Sequence, residues 1–138
     1  MGEPLLEVKD LKVSFQVNKN LLTAVDGVNF TLEEGRVLGI VGESGCGKSV
    51  TATSIMRLVP PSVSIIDSKS QILFRGEDLA KATEARMRQV RGSEISMIFQ
   101  EPMSSLNPVY RIGDQMIEMI RSHDKKISRA DALARCVE

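Results

Sequence analysis

Apolar and polar residues alternate near the start of the chain, and a period of two is typical of a half-buried strand. Residues 6–17 read LEVKDLKVSFQV, with the clearest alternation from Leu11 onward. A turn-like Asn-Lys-Asn sequence at 18–20 leads to a second predicted strand, residues 21–32, that is interrupted near Asp26-Gly27. Residues 33–35 (EEG) predict a further turn. The first quarter of the chain therefore predicts two strands joined by a turn.

Strand and helix patterns then follow one another. Residues 37–41 (VLGIV) are almost wholly apolar, which predicts a parallel strand buried on both faces. Ala52, Ile55, Met56 and Val59 recur at helical spacing before Pro60-Pro61, where a helix must stop. Further strands are predicted at 71–74 and 95–99, and a helix is predicted around 83–90.

The last third predicts a loop and two helices. Residues 101–108 contain the breakers of a loop. Two apolar helix faces follow, one formed by Ile112, Met116, Met119 and Ile120, and the other by Ile127, Ala130, Leu133, Ala134 and Val137. The second pattern runs to Glu138 with no C-capping residue, so we expect that helix to continue or to dock on further chain.

Composition and charge exclude several classes of function. The chain is 42% hydrophobic and 26% charged, as in ordinary globular proteins, and its formal net charge of zero predicts no broad attraction to nucleic acid or anionic membrane. Its start does not resemble a signal peptide, and no apolar stretch is long enough to span a bilayer. Cys46 and Cys136 are interpreted as reduced thiols of a cytosolic protein, and His123 as a solvated surface residue.

A phosphate-binding loop is the strongest chemical signal. Residues 42–49 (GESGCGKS) match the Walker A pattern G-x-x-x-x-G-K-[ST], between a predicted strand and a predicted helix. Gly45 and Gly47 permit positive φ and a tight nest of backbone N–H groups, and a helix that begins near Lys48 adds the positive end of its dipole. Lys48 would reach the β- and γ-phosphates of a nucleotide, and the Ser49 hydroxyl would bind Mg²⁺.

Residues 95–108 (ISMIFQEPMSSLNP) indicate which class of nucleotide-binding protein the chain resembles. This stretch resembles the Q-loop of ABC transporter ATPases, in which a strand ends in a glutamine. PMSSLNP at 102–108 is similar to the oligopeptide, dipeptide and nickel importer branch, as is GIVGESGCGKSV at 39–50. Glu101 departs from the aspartate common there but preserves the charge. The chain thus resembles the N-terminal portion of such an ATP-binding subunit.

The resemblance implies roles for particular residues. Gln100 would contact Mg²⁺ or the attacking water, against the competing interpretation of a solvated glutamine. Phe15 matches the aromatic residue that stacks on adenine, although in an alternating strand the ring could instead point into the core. The implied catalytic residues are Lys48 and Gln100, and the implied metal ligands are Ser49 and Gln100. The implied ATP-binding residues are Phe15, Gly42, Ser44, Gly45, Cys46, Gly47, Lys48, Ser49 and Val50.

The same resemblance sets the expected fold and domain limits. We expect an α/β fold, a P-loop NTPase core with an N-terminal antiparallel β layer and the start of a helical subdomain. Residues 1–138 would form a partial nucleotide-binding domain, with the β layer and P-loop core at 5–110 and the helical subdomain from 111 to 138. The chain contains no LSGGQ signature, no apolar strand ending in Asp-Glu and no downstream switch histidine. We therefore expect no multiple-turnover hydrolysis by this chain alone.

The implied function is to energise a peptide-type ABC importer by ATP hydrolysis in the complete protein. Its implied partners are transmembrane permease subunits, a second ATPase subunit and, indirectly, an extracytoplasmic substrate-binding protein, at the cytoplasmic face of the membrane. Sheet edges and apolar faces left uncovered could also support self-association. The competing hypotheses are a non-catalytic nucleotide-binding or interaction module and another P-loop enzyme such as a small-molecule kinase.

Overall fold

The computed structural model describes residues 4–100 and 106–137. The chain divides into two compact units, residues 1–88 and 89–138. Residues 101–105, which belong to the predicted loop and to the importer-like motif, lie outside the described residues, as does Glu138. No helix within the described ranges is long and apolar enough to cross a membrane.

An antiparallel sheet forms the body of the first unit. Its strands are β1 (Leu6–Val17), β2 (Asn20–Leu32), β3 (Ser64–Ile66), β4 (Gln71–Phe74) and β5 (Glu77–Asp78). The strand order is β2-β1-β4-β5, and β3 also pairs with β1. The alternation of β1 buries Val8, Leu11 and Val13. The two predicted N-terminal strands and the predicted strand at 71–74 are therefore confirmed.

A two-residue turn sets the register of β1 against β2. Asn18 and Lys19 have φ of 46° and 68°, as in the type I′ turns that fit the twist of a hairpin. Val17 consequently pairs with Asn20, and Phe15 with Leu22. Farther along the hairpin, Asp26 bonds the Lys12 ammonium at 2.8 Å and thereby raises the pKa of Lys12.

Helix α1 (Lys48–Ile55) contacts β1 and β2. The predicted helix at this position is confirmed, but it ends well before Pro60 because Arg57 adopts a left-handed φ of 49°. The residues of α1 that are buried are Thr51 and Ser54. Of the predicted apolar face, Met56 is buried, and Ala52, Ile55 and Val59 are half-buried, so the face is confirmed only in part. Helix α2 (Glu84–Ser93) confirms the predicted helical stretch and is broken at Gly92, where φ is +88°.

The second unit contains α3 (Ile112–His123) and α4 (Arg129–Arg135). Asn107 and the Gln115 side chain exchange two hydrogen bonds of 2.8 and 2.9 Å ahead of α3, and Ser128 caps α4 by accepting the Asp131 N–H. Both helices were predicted, but their buried residues are Ile117 and Ala132. The predicted faces are wrong, and α4 ends at Arg135 rather than running to Glu138.

Two predicted strands do not form. Residues 37–41 pair with no strand of the described chain, and Val37 and Val41 are 98% and 93% exposed. Residues 95–99 contribute a single bridge, from Ile95 to Arg91, and Ile98 is 92% exposed. The prediction of a buried parallel strand at 37–41 and the prediction of a strand at 95–99 are therefore both wrong, since a strand needs a neighbour to satisfy its backbone groups. The antiparallel β layer with helices confirms the α/β class.

Candidate functional site

A loop of left-handed glycines precedes α1. Gly45 and Gly47 have φ of +82° and +94°, a region that favours glycine because it has no β-carbon. Gly47 is the N-cap of α1, and no side chain caps it. The glycines that the sequence predicted for a phosphate nest therefore adopt the backbone conformation that such a nest requires.

Close contacts tie this loop to β2 and to itself. A β-carbon built on Gly47 would lie 2.6 Å from the Ala24 carbonyl oxygen and 3.3 Å from Val25 Cγ2. A β-carbon built on Gly42 would lie 2.6 Å from the Cys46 sulfur. Position 47 needs glycine for space because the contact there is with backbone, whereas at position 42 the Cys46 side chain could move aside.

The Lys48 ammonium folds back over the loop. Its Nζ donates to the carbonyl oxygens of Gly42 at 2.7 Å and Glu43 at 2.6 Å. The Cys46 sulfur lies 3.5 Å from the same nitrogen. The side chain is thus held against the loop, where it places a positive charge near the N-terminus of α1.

The first turn of α1 provides further donors. The first N–H that bonds back within the helix is that of Thr51, at 2.8 Å from the Gly47 carbonyl, and the Thr51 hydroxyl donates to the same carbonyl at 3.0 Å. The N–H groups of Lys48, Ser49 and Val50 precede it, and such groups have no partner within an α-helix. Together with the positive end of the helix dipole, these N–H groups favour the binding of an anion. Ser44 and Ser49 are exposed, which leaves both side chains accessible.

Phe15 lies on the β1–β2 hairpin. It is half-buried on β1, opposite Leu22. The register of the hairpin shifts between Val13 and Ser14, so strand alternation does not carry the orientation of the Val13–Val25 pair on to Phe15. The stacking role of Phe15 stays a prediction.

Gln100 belongs to the second unit, in an exposed bend after Phe99. Its participation in the site stays a prediction. Within residues 4–100 and 106–137 no group of three or more His, Cys, Asp or Glu side chains could hold a metal ion.

Two residues of the site were not predicted from the sequence. Ala24 supports Gly47 through its carbonyl oxygen, and Thr51 bonds the same glycine from α1. The role of Thr51 could have been predicted from the sequence, because a threonine four residues after the last loop glycine can donate its hydroxyl to the carbonyl of that glycine. The role of Ala24 could not, because Ala24 acts through its backbone.

Known proteins resemble this chain along most of its length. Residues 25–137 match the protein family described as ABC transporter. The oligopeptide transport ATP-binding protein OppD of Bacillus subtilis is 49% identical over 134 residues, which are 97% of this chain and 37% of that protein. The probable peptide ABC transporter ATP-binding protein y4tR of Sinorhizobium fredii is 46% identical over 134 residues, 97% of this chain and 39% of that protein.

The dipeptide transport ATP-binding protein DppD of Bacillus subtilis is 47% identical over 129 residues, 93% of this chain and 38% of that protein. The chain therefore spans about two fifths of the length of these relatives. The solved dimeric structure of a bacterial ABC transporter cassette matches with a TM-score of 0.77 and 19% identity, over 96% of this chain and 54% of that one. At that identity the likeness concerns the fold, and it confirms the predicted P-loop NTPase class.

Proposed function

The chain belongs to the ABC transporter family, and from that premise we propose that it is an ATP-binding part of a subunit that energises peptide import. The relatives that support this proposal are named as ATP-binding proteins of peptide transport. ATP hydrolysis would drive transport in the complete protein. The residues of this chain would hold the nucleotide.

The observation that carries the proposal is the arrangement of donors around the loop at 42–47. Left-handed Gly45 and Gly47, the open first turn of α1 and the Lys48 ammonium all belong to residues 42–51, and together they form a surface of hydrogen-bond donors and positive charge. A triphosphate carries the dense negative charge that such a surface favours. Its oxygens would replace the carbonyl groups of Gly42 and Glu43 as acceptors for Lys48.

Magnesium would enter with the nucleotide. Mg²⁺ commonly binds through phosphate oxygens, waters and one or two protein groups rather than through a cage of carboxylates. The Ser49 hydroxyl on the exposed first turn of α1 fits that limited role. Gln100, by its place in the family motif, would be the second protein group. The ion would neutralise charge on the phosphates.

The proposed partners follow from the family and its relatives. Permease subunits would carry the peptide across the membrane, with this subunit bound at their cytoplasmic face. A second ATPase subunit is the further proposed partner, since the matched solved cassette is dimeric. A substrate-binding protein outside the cytoplasm would select the peptide.

Isothermal titration of the 138-residue chain with Mg-ATP tests the proposal. Lys48→Ala removes a charged donor and should weaken binding by about tenfold or more, the usual scale of a charge-assisted hydrogen bond. Lys69→Ala is the matched control, because it removes the same charge from an exposed turn of the first unit that lies outside the loop at 42–47. Equal affinities of the wild-type chain and Lys48→Ala would contradict the proposal.

A further inference from the structure

The Gly47 carbonyl oxygen accepts two hydrogen bonds from a single residue. The backbone N–H of Thr51 donates to it at 2.8 Å, and the Thr51 hydroxyl donates to it at 3.0 Å. The first bond belongs to the regular pattern of α1, whereas the second depends on the side chain. Thr51 is buried, with 5% of its surface exposed, so the second bond is largely shielded from water.

The direction of this carbonyl sets the direction of a donor at the start of α1. A peptide unit is planar and trans, so the Gly47 C=O and the Lys48 N–H lie in one plane and point in opposite directions. The carbonyl points along the helix toward Thr51. The Lys48 N–H therefore points the other way, off the N-terminal end of α1, where it has no partner within the helix.

Gly47 has no side chain that could restrain this peptide. It is the N-cap of α1, no side chain caps it, and a glycine allows more backbone rotation than other residues do. The second bond to its carbonyl limits the rotation of the peptide. Hydrogen bonds that share a peptide also polarise it and strengthen one another, by roughly 10–30% per bond. The Lys48 N–H is consequently a better oriented and stronger donor.

We propose that Thr51 is a positioning residue of the phosphate site, because its hydroxyl orients the Gly47–Lys48 peptide and strengthens the Lys48 N–H as a donor to a phosphate oxygen. The inference rests on the proposed function, which places the phosphates of a nucleotide at this loop. Thr51 would not contact the phosphates itself, since its hydroxyl is directed to the Gly47 carbonyl. It acts on them through one peptide unit.

Thr53 offers a matched comparison on the same helix. Its hydroxyl is shared between the carbonyl oxygens of Ser49 at 2.8 Å and Val50 at 3.1 Å. The Val50 carbonyl belongs to the same peptide as the Thr51 N–H, which already bonds Gly47. Thr51→Val and Thr53→Val each replace one hydroxyl by a methyl group. Phosphate binding should weaken more in Thr51→Val, and Thr51→Ser should bind as the wild type does because it keeps the hydroxyl.

The experiment measures the affinities of the 138-residue chain for Mg-ATP and for inorganic tripolyphosphate by isothermal titration. Thr51→Val should weaken both by the same factor of about three to ten, the scale of one neutral hydrogen bond. Thr53→Val should weaken both distinctly less. Urea unfolding of each variant measures the change in stability separately.

The amide resonance of Lys48 in an NMR spectrum gives a readout that a change in stability would not move. Saturating tripolyphosphate should shift the Lys48 amide proton downfield in the wild-type chain and in Thr51→Ser, and shift it less in Thr51→Val. The Ser49 amide is the internal reference, because the Thr51 hydroxyl does not bond its peptide. Its shift should be alike in all three proteins.

The outcomes separate this inference from the proposed function. If the wild-type chain binds neither ATP nor tripolyphosphate, the proposed function fails and the inference fails with it. If the wild-type chain binds both and Thr51→Val binds tripolyphosphate equally well, the inference alone is wrong. Equal weakening by Thr51→Val and Thr53→Val would also contradict it, because the effect would then belong to any hydroxyl bonded to the helix backbone.

A second pair of variants repeats the test if Thr51→Val unfolds. Thr51→Ser and Thr51→Ala differ by one hydroxyl group, and the serine variant should bind tripolyphosphate more tightly by the same factor of about three to ten. Equal affinities of these two variants would overturn the inference.

Discussion

Gly47 lies so close to Ala24 that a β-carbon at position 47 would stand 2.6 Å from the Ala24 carbonyl oxygen. This contact anchors the phosphate loop to a strand of the β layer instead of leaving it free in solution. The loop can keep its left-handed glycines open to an anion because the backbone beneath it is fixed by sheet pairing.

Gly47→Ala should destabilise the fold and abolish tight ATP binding. The new methyl group would meet backbone at Ala24, and an alanine at φ of +94° also carries a left-handed strain of about 1–2 kcal/mol. The free energy of unfolding in urea and the affinity for Mg-ATP measure the two effects.

Gly45→Ala is the control for that substitution. Gly45 has a similar φ of +82°, but no atom lies within 4 Å of a β-carbon built there. The alanine at 45 should therefore cost only the left-handed strain, and the difference between the two variants reports the clash at Ala24. Equal losses of stability would show that position 47 has no special contact.

Cys46 should be alkylated by maleimide and protected by ATP. The cysteine is exposed, and its sulfur lies 3.5 Å from the Lys48 ammonium that we assign to the phosphates. A bound triphosphate would cover the thiol, whereas Cys46→Ser should bind ATP nearly as the wild type does. The labelling rate with and without Mg-ATP is the measurement.

Cys136 provides an internal reference for that labelling. Its thiol is half-buried and donates to the Ala132 carbonyl at 3.1 Å in the second unit. We expect it to react more slowly and with no response to nucleotide. If Mg-ATP does not change the labelling rate of Cys46, the phosphates bind elsewhere.

The sequence predicted the hairpin and the loop because their determinants are local. The ends of β1 and the turn at Asn18-Lys19 follow from alternation and from residues that tolerate positive φ. The pattern G-x-x-x-x-G-K-[ST] likewise places its glycines, lysine and serine within eight consecutive residues. Such features require no knowledge of distant contacts.

The predictions from the sequence were wrong where an element forms only through contacts with another part of the chain. An apolar run such as residues 37–41 becomes a strand only when another strand pairs with it, and none does so among the described residues. The helix faces were only partly right for a related reason. Spacing favoured larger apolar residues, and Met56 of the predicted α1 face is buried, but packing also buries Ser54 in α1 and Ala132 in α4.

Asp78→Ala should destabilise the first unit by about 1–3 kcal/mol, the scale of leaving buried donors unsatisfied. One oxygen of the Asp78 carboxylate accepts the backbone N–H groups of Ile72 at 3.2 Å and Ala80 at 3.1 Å. Urea unfolding measures the loss, and Asp78→Asn should recover part of it by keeping an acceptor. ATP affinity should not change.

The Lys81→Ala variant distinguishes the contribution of the Asp78 hydrogen bonds to stability from that of the Asp78–Lys81 ion pair. The Lys81 ammonium is 3.2 Å from the other Asp78 oxygen, but its side chain is 62% exposed. An exposed ion pair contributes between about 0 and 1 kcal/mol, so Lys81→Ala should have a small effect. A loss as large as that of Asp78→Ala would mean that the ion pair dominates.

The final prediction is that the 138-residue chain binds Mg-ATP without catalytic turnover. Phosphoryl transfer requires positioned charge around both the leaving phosphate and the attacking water. By the proposed assignment, the loop at 42–47, Lys48 and Ser49 would surround only the phosphates, and the sequence holds neither an LSGGQ signature nor an apolar strand ending in Asp-Glu. Steady-state phosphate release should match that of Lys48→Ala. A chain that also carried those two motifs should hydrolyse ATP, especially with the proposed permease subunits. Turnover by the 138-residue chain that depends on Lys48 would overturn this prediction, because one of its own residues would then have to activate the water.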